Sequence, residues 1–242
     1  MLIGDETTEY PDKATITLIG TPNQIGYTYN SNIMAGNKLL FVANKLIVNG
    51  KDNLEGGPTH VKLLENAVKG TNTIKVQTGL AWAPNDEIVI AASSYDYLAT
   101  EHKIISAYDS NTGQVTLTTG LEFNHYGAAD PETHTEGGNT YSYDLRTEVG
   151  HLTRNVVIQG NEGERWGGQL VVVDFTDTAT ETMFQGYAQL KHVEIKRMSQ
   201  YDTARAAVRF ERTGTSTDAL GSLIQRSSIA HSPGWGIAIN RA

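Results

Sequence analysis

The sequence predicts an all-β protein: a parallel β-helix with an inserted small antiparallel β-barrel or sandwich. Three observations carry that expectation. One octet is written three times, as TRNVVIQG at 153–160, LKHVEIKR at 190–197 and IQRSSIAH at 224–231, and each copy is followed by a second short strand, LVVVD, AVRFE and GIAIN. The return is regular: Val156 to Val193 is a step of 37 residues and Val193 to Ser227 one of 34, while Val156 to Val171 and Val193 to Val208 are each 15. Repeats of this length, with two strands per copy, are what stacked coils look like when each buries its apolar side on the next. Finally, no convincing amphipathic helix interrupts the pattern.

Alternation assigns the faces, because side chains two apart in a strand share a side. Val156 and Ile158, Val193 and Ile195, Val171 and Val173, Val208 and Phe210, and Ile237 and Ile239 are the expected core pairs. Asp174, Glu194, Lys196, Arg209 and Glu211 are expected to face out.

In chain order, residues 14–19 alternate small polar and apolar side chains and stop at the turn cluster 20–23. Two strands follow at 39–42 and 46–48, separated by Ala43, Asn44 and Lys45; this spacing fits adjacent sides of one coil or a hairpin equally. Between about 60 and 127 the texture changes to closely spaced strands at 61–64, 73–76, 87–90, 103–106 and 115–118, with turns at Gly70, Pro84 to Asp86 and Asn111 to Gly113. Residues 128–139, with Pro131, Gly137 and Gly138, read as a polar surface loop.

Composition narrows the function classes. A chain of 242 residues builds a sizeable core unaided, and the absence of cysteine removes disulfides, thiolate metal sites and a cysteine nucleophile. A net charge of -8 argues against nucleic acid, which calls for a basic stripe. No apolar run has the length of a membrane span. The first residues lack the charged and apolar regions of a secretory signal and read as a strand already under way, so a fragment of a longer chain is expected.

The string LIG at 2–4, ATITL at 14–18, Trp82 with DEIVIA at 86–91 and YDY at 95–97, then EVGHLTRNV at 148–156, resembles the glycine-rich G8 domain and the β-helix repeats that follow it. That family comprises fibrocystin, the fibrocystin-like protein and the cell-surface and secreted hyaluronan-degrading proteins. The resemblance implies a right-handed winding, a cell-surface or extracellular setting, a G8-like module over 1–145 lacking its start, and repeats over 146–242. Asn85 stands where relatives usually have glycine, a substitution a left-handed turn tolerates. The family's outward histidines are replaced by Arg209, Glu211, Asn240 and Gln169. Those losses favour a non-catalytic scaffold that contacts polysaccharide or other extracellular proteins over a polysaccharide-cleaving enzyme.

If the chain were an enzyme, the residues to carry it would be Asp174, Arg209 and Glu211. Asp174, Glu211 and Asn240 follow Val173, Phe210 and Ile239 and are expected to stand level in three coils. Two carboxylates one coil apart would hold a proton between them and act as acid and base on a sugar. Lys196, Arg212 and Asn240 are the expected ligand contacts. The seven histidines show no zinc-ligand spacing, and His192 and His231 fall near equivalent coil positions as surface or turn residues. Asp130, Glu132, Asp174, Asp177 and Glu181 offer oxygen ligands for calcium without a loop motif, so no cofactor is expected. Trp82, Tyr95, Tyr97, Tyr126, Tyr141 and Tyr143 are expected to pack the insert, with a sugar platform as the alternative. Trp166 and Trp235, beside glycines, are expected at structural corners. The open final coil predicts end-to-end self-association.

Overall fold

The computed structural model describes residues 1–24, 26–29, 33–161, 165–177, 179–211 and 221–240. The strands run β1 (Leu2–Ile3), β2 (Ala14–Leu18), β3 (Tyr27–Tyr29), β4 (Ile33–Gly36), β5 (Leu39–Val42) and β6 (Lys45–Asn49). Then come β7 (His60–Lys62), β8 (Thr73–Lys75), β9 (Glu87–Ile90), β10 (Glu101–Asp109), β11 (Gln114–Leu117), β12 (Glu132–Glu136), β13 (Asn139–Tyr143) and β14 (Glu148–His151). The last group is β15 (Val156–Gly160), β16 (Gln169–Val173), β17 (Phe175–Asp177), β18 (Thr182–Phe184), β19 (Tyr187–Lys191), β20 (Val193–Lys196), β21 (Val208–Glu211), β22 (Leu223–Gln225), β23 (Ser228–Ala230) and β24 (Ile237–Asn240). The described residues are all-β apart from one turn of 3-10 helix at Tyr97–Ala99. Among the described residues no helix is long and apolar enough to cross a membrane.

Two compact units result, residues 1–52 with 154–242, and residues 53–153. In the first, three four-stranded parallel sheets have the orders β1-β6-β19-β22, β2-β15-β20-β23 and β5-β16-β21-β24. The chain visits the three in the same rotation four times. The choice left open by the spacing is thereby settled, since β5 and β6 belong to successive sheets rather than to a hairpin.

Registers stack like on like. Ile16, Ile158, Ile195 and Ile229 form one column, and Leu40, Leu170, Val208 and Ile237 another, while Val48, Leu190 and Ile224 line the third sheet. All three sheets turn these residues, except the exposed Ile237 of the last strand, into one core cluster. Each fully buried aliphatic side chain contributes about 1.5–3 kcal/mol, so the stacks are the main stabilising term.

The expected core pairs hold at Val156/Ile158, Val193/Ile195 and Val208/Phe210, but not in β24, where Ile237 and Ile239 on the last strand of the sheet are 47% and 70% exposed, nor in β16. There Leu170 and Val172 enter the core, and Val171 and Val173 lie level with Arg209 and Glu211 on the other face. The strand is slipped by one residue relative to the expectation, which exchanges its faces. Both faces are covered, so all of β16 is buried and its alternation is hidden.

Sharp corners let the sheets follow one another. Gly50, His192 and Arg226 stand one step beyond the level residues Asn49, Lys191 and Gln225, and His192 and Arg226 take φ of 54° and 51°. A Cβ on Gly50 would lie 2.4 Å from the His192 carbonyl oxygen, so the first member of this column must be glycine. His231 instead follows Ala230, level with Lys196, and shares the next corner with Gly160 and Arg197. The two histidines are therefore not equivalent, and His192 is buried rather than at the surface.

The unit 53–153 is a six-stranded sheet ordered β7-β14-β9-β10-β11-β8, antiparallel at each paired step, with its own core of Val61, Leu63, Ile74, Ile88, Ile105 and Val149 among others. Just beyond β7, the Leu64 amide donates to the Lys75 carbonyl at 2.9 Å, linking the two edge strands. Asn85 takes φ 72°, the left-handed conformation expected of it. Residues 128–139 are not simply a loop, because β12 and β13 pair antiparallel through Thr135 and Thr140. Trp82 is buried against Tyr108 and His151, but Tyr95, Tyr97, Tyr126, Tyr141 and Tyr143 are exposed rather than packed.

Candidate functional site

The outer face of β16, β21 and β24 brings four of the expected residues together. Gln169 lies at the start of β16, Arg209 and Glu211 sit two apart on β21, and Asn240 ends β24 level with Glu211. Arg209 donates from Nε to Glu211 Oε1 at 3.1 Å, from Nη2 to the same oxygen at 2.5 Å, and from Nη1 to Gln169 Oε1 at 3.0 Å. Asn240 donates from Nδ2 to Glu211 Oε2 at 3.0 Å. Both carboxylate oxygens of Glu211 are thus engaged, and Glu211 and Arg209 keep only 7% and 9% of their surface exposed. The expectation of outward, solvated charges does not hold for this group.

The polar layer continues into the corner between sheets. Gln169 Nε2 donates to the Asn37 carbonyl, and Gln200 Nε2 donates to the Asn37 and Gly167 carbonyls at 3.2 and 3.3 Å. Asn37 in turn donates to the carbonyls of Thr21 and Gln24 at 3.0 and 2.9 Å and accepts from Trp166 Nε1 at 2.9 Å. Asn37 and Gln200 were not anticipated, since a lone amide in a turn carries no motif. Burial of the Arg205 guanidinium, reinforced by the charge of Arg209, pushes its proton affinity down.

Asp174 stands apart from this set. The level partner of Glu211 is Val173, so Asp174 falls one residue beyond, and its Oδ1 accepts from the Gly186 amide at 2.8 Å. No carboxylate pair spans adjacent passes at this point, because the one-residue slip in β16 removes the alignment. Lys196 belongs to another sheet and pairs with Glu194 Oε1 at 2.7 Å. Arg212 lies outside the described residues.

Glu194 shows how such outward charges are covered. Its second oxygen accepts from the Arg154 amide at 3.2 Å, and Arg154 Nε donates to the Arg226 carbonyl at 2.9 Å. Arg226 reaches Asp52 Oδ1 at 3.1 Å, and the same oxygen lies 3.6 Å from His192 Nδ1. Burial lowers the proton affinity of His192, against the opposing pull of Asp52 and Glu9. Among the suggested calcium ligands, Asp177 is held by the Ala179 amide and the Thr180 hydroxyl, which keep its carboxyl below the usual range. Glu132 likewise accepts from Tyr126 Oη and the Leu145 amide, which lower its carboxyl in the same way.

The arrangement can do little proton chemistry. A glycosidase needs one carboxyl group poised to give a proton and another free to take one. Glu211 is instead locked in a charge-assisted network typical of structural pairs.

No family model matches the chain. Fibrocystin-L from Homo sapiens is 30% identical over 196 residues, covering 76% of this chain and 4% of that protein. A protein named cell surface hyaluronidase from Danio rerio is 29% identical over 168 residues, or 63% of this chain and 11% of that protein. The chain therefore spans only a small part of the curated relatives it matches. Among solved structures, the tailspike protein gp49 from Pseudomonas phage LKA1 is similar with a TM-score of 0.29 and 14% identity, over 84% of this chain and 29% of that one.

Proposed function

We propose that the chain is a non-catalytic module of a larger cell-surface or extracellular protein. It acts as a stiff scaffold whose sides contact glycan or protein. The observation that carries this reading is the Arg209–Glu211 pair: the carboxylate best placed for chemistry is buried, bonded on both oxygens and neutralised. On this reading the three parallel sheets form a right-handed parallel β-helix, the sense in which parallel crossovers almost always run. The unit 53–153 is its inserted barrel, consistent with the Leu64–Lys75 link. Residues 1–145 correspond to the G8-like module and 146–242 to the repeats. The cell-surface setting is inferred from likeness to a protein named cell surface hyaluronidase.

The second reading, a polysaccharide-cleaving enzyme, draws on the same relative's name. The two separate on one assay. The chain is incubated with hyaluronan and related glycosaminoglycans and the products are sized; unchanged length is expected. Shortening that disappears in Glu211→Gln would replace the scaffold reading with the enzymatic one.

A further inference from the structure

One corner of the first unit is unlike the others. The turns leading into β16, β21 and β24 each carry an aromatic side chain: Trp166, Tyr201 and Trp235. Backbone bonds tie these turns to one another. Tyr201 donates its amide to the Arg165 carbonyl at 2.9 Å, Gly167 donates to the Ser199 carbonyl at 2.7 Å, and Ala207 donates to the Trp235 carbonyl at 2.8 Å. The Gly234 amide adds a bond to Ser199 Oγ at 2.8 Å. Three aromatic residues are thus mounted on consecutive, cross-braced turns, and adjacent strands of such a stack repeat at about 4.7–4.9 Å.

These rings are not core. Trp235 is 61% exposed and Tyr201 46%. Two cations accompany them: the Arg165 guanidinium lies 3.3 Å from the Tyr201 ring centre and that of Arg205 lies 5.6 Å from the Trp166 ring centre. Arg205 is oriented by Gln200 Oε1 at 2.8 Å. Among the described residues neither guanidinium meets a carboxylate, although the chain as a whole carries a charge of -8. Exposed rings held rigidly beside unspent hydrogen-bond donors suit one kind of ligand. A pyranose presents a face of C–H groups to an aromatic ring and a rim of oxygens to a donor, and it loses little entropy on a platform that is already ordered.

We propose that the corner formed by Arg165, Trp166, Tyr201, Arg205 and Trp235 binds a pyranose chain lying along the stack. Trp235 supplies the open stacking face, and Arg165 and Arg205 donate to hydroxyl or carboxylate oxygens at the rim. The proposal rests on the contact-module reading above and names its site.

Isothermal titration with cellohexaose and with hexagalacturonate separates a neutral from an acidic sugar. Binding of either one that weakens by about tenfold or more in Trp235→Ala, with the melting temperature unchanged, is the expected result. For an acidic ligand, Arg165→Ala weakens binding and added salt does the same. Binding of neither sugar, or equal binding by wild type and Trp235→Ala, overturns the proposal. Failure of the contact-module reading shows separately, as shortening of the sugar when the same samples are sized.

Discussion

Arg209 and Glu211 lie two residues apart on one strand, and the guanidinium of the first grips a single carboxylate oxygen of the second through Nε and Nη2. Period-two geometry puts both on the same face, so the pair forms within the strand itself. Gln169 and Asn240, from the flanking strands, complete the bonding on either side. A face of sequence-level charges is thereby turned into a sealed polar layer.

Removing one partner leaves the other charged, buried and unpaired. Arg209→Met or Glu211→Leu alone is expected to destabilise by roughly 3–5 kcal/mol, and the double substitution by far less. Urea midpoints of the two single variants and the double variant check this. A double variant as unstable as the sum of the singles would show that the residues act independently.

Gly160 marks a corner where passes approach too closely for any side chain. A Cβ there would lie 2.2 Å from the Arg197 carbonyl oxygen. Gly160→Ala is expected to cost about 1–3 kcal/mol, as overpacking does. Gly236→Ala, whose Cβ would meet Ile229 at 3.6 Å, is the tolerated control. Thermal unfolding of the two variants distinguishes them.

Acid weakens the unit 53–153 through Glu101. Burial alone would raise its carboxyl, but the amides of Glu122 and Phe123, with Lys103 and His125, more than offset that and hold it at about 2, against 4.5 when unperturbed. A carboxyl depressed on folding stabilises fully above its unfolded value, and that contribution fades as pH falls from 4.5 towards 2. The contribution is roughly 3 kcal/mol. Glu101→Gln is expected to lower stability at neutral pH and to flatten the loss across that window, measured by urea unfolding at pH 6, 4 and 3.

His192 gives a second pH dependence, at the first corner. Its imidazole is depressed by burial, so the unfolded state binds the proton more readily. Stability is present above the unfolded value of about 6.5 and is lost as pH falls through it towards the folded value. Asparagine keeps the left-handed backbone available, and His192→Asn is expected to remove the slope between pH 7 and 5.

Much of the fold was legible because polar residues separate the apolar ones: Glu194 between Val193 and Ile195, and Arg209 between Val208 and Phe210, show the strand faces directly. β16 was not, because its three valines follow Leu170 and both faces are covered, so nothing in the local pattern selects one register. That single slip also misaligned Asp174 with Glu211. Arg209, Glu211, Gln169 and Asn240 were visible as departures from a family pattern. The burial of Arg209, Glu211 and Gln169 was not visible, because it depends on partners as distant in sequence as Asn37 and Gln200. The exposed tyrosines of the insert were misread for a related reason, since aromatic composition does not distinguish core from surface.

The claim beneath the whole account is that the chain returns to each sheet in the stated register. The protein has no cysteine, so engineered pairs report that register without background. Thr17 and Gln159 are level partners on adjacent strands, joined by a side-chain bond of 3.1 Å, and Lys196 is level with Gln159 on the far side. The most direct measurement is oxidation of Thr17→Cys/Gln159→Cys beside Thr17→Cys/Lys196→Cys, followed by electrophoresis and peptide mapping. A disulfide forming rapidly in the first pair and not in the second is the result the account predicts; the reverse, or no link in either, would contradict it.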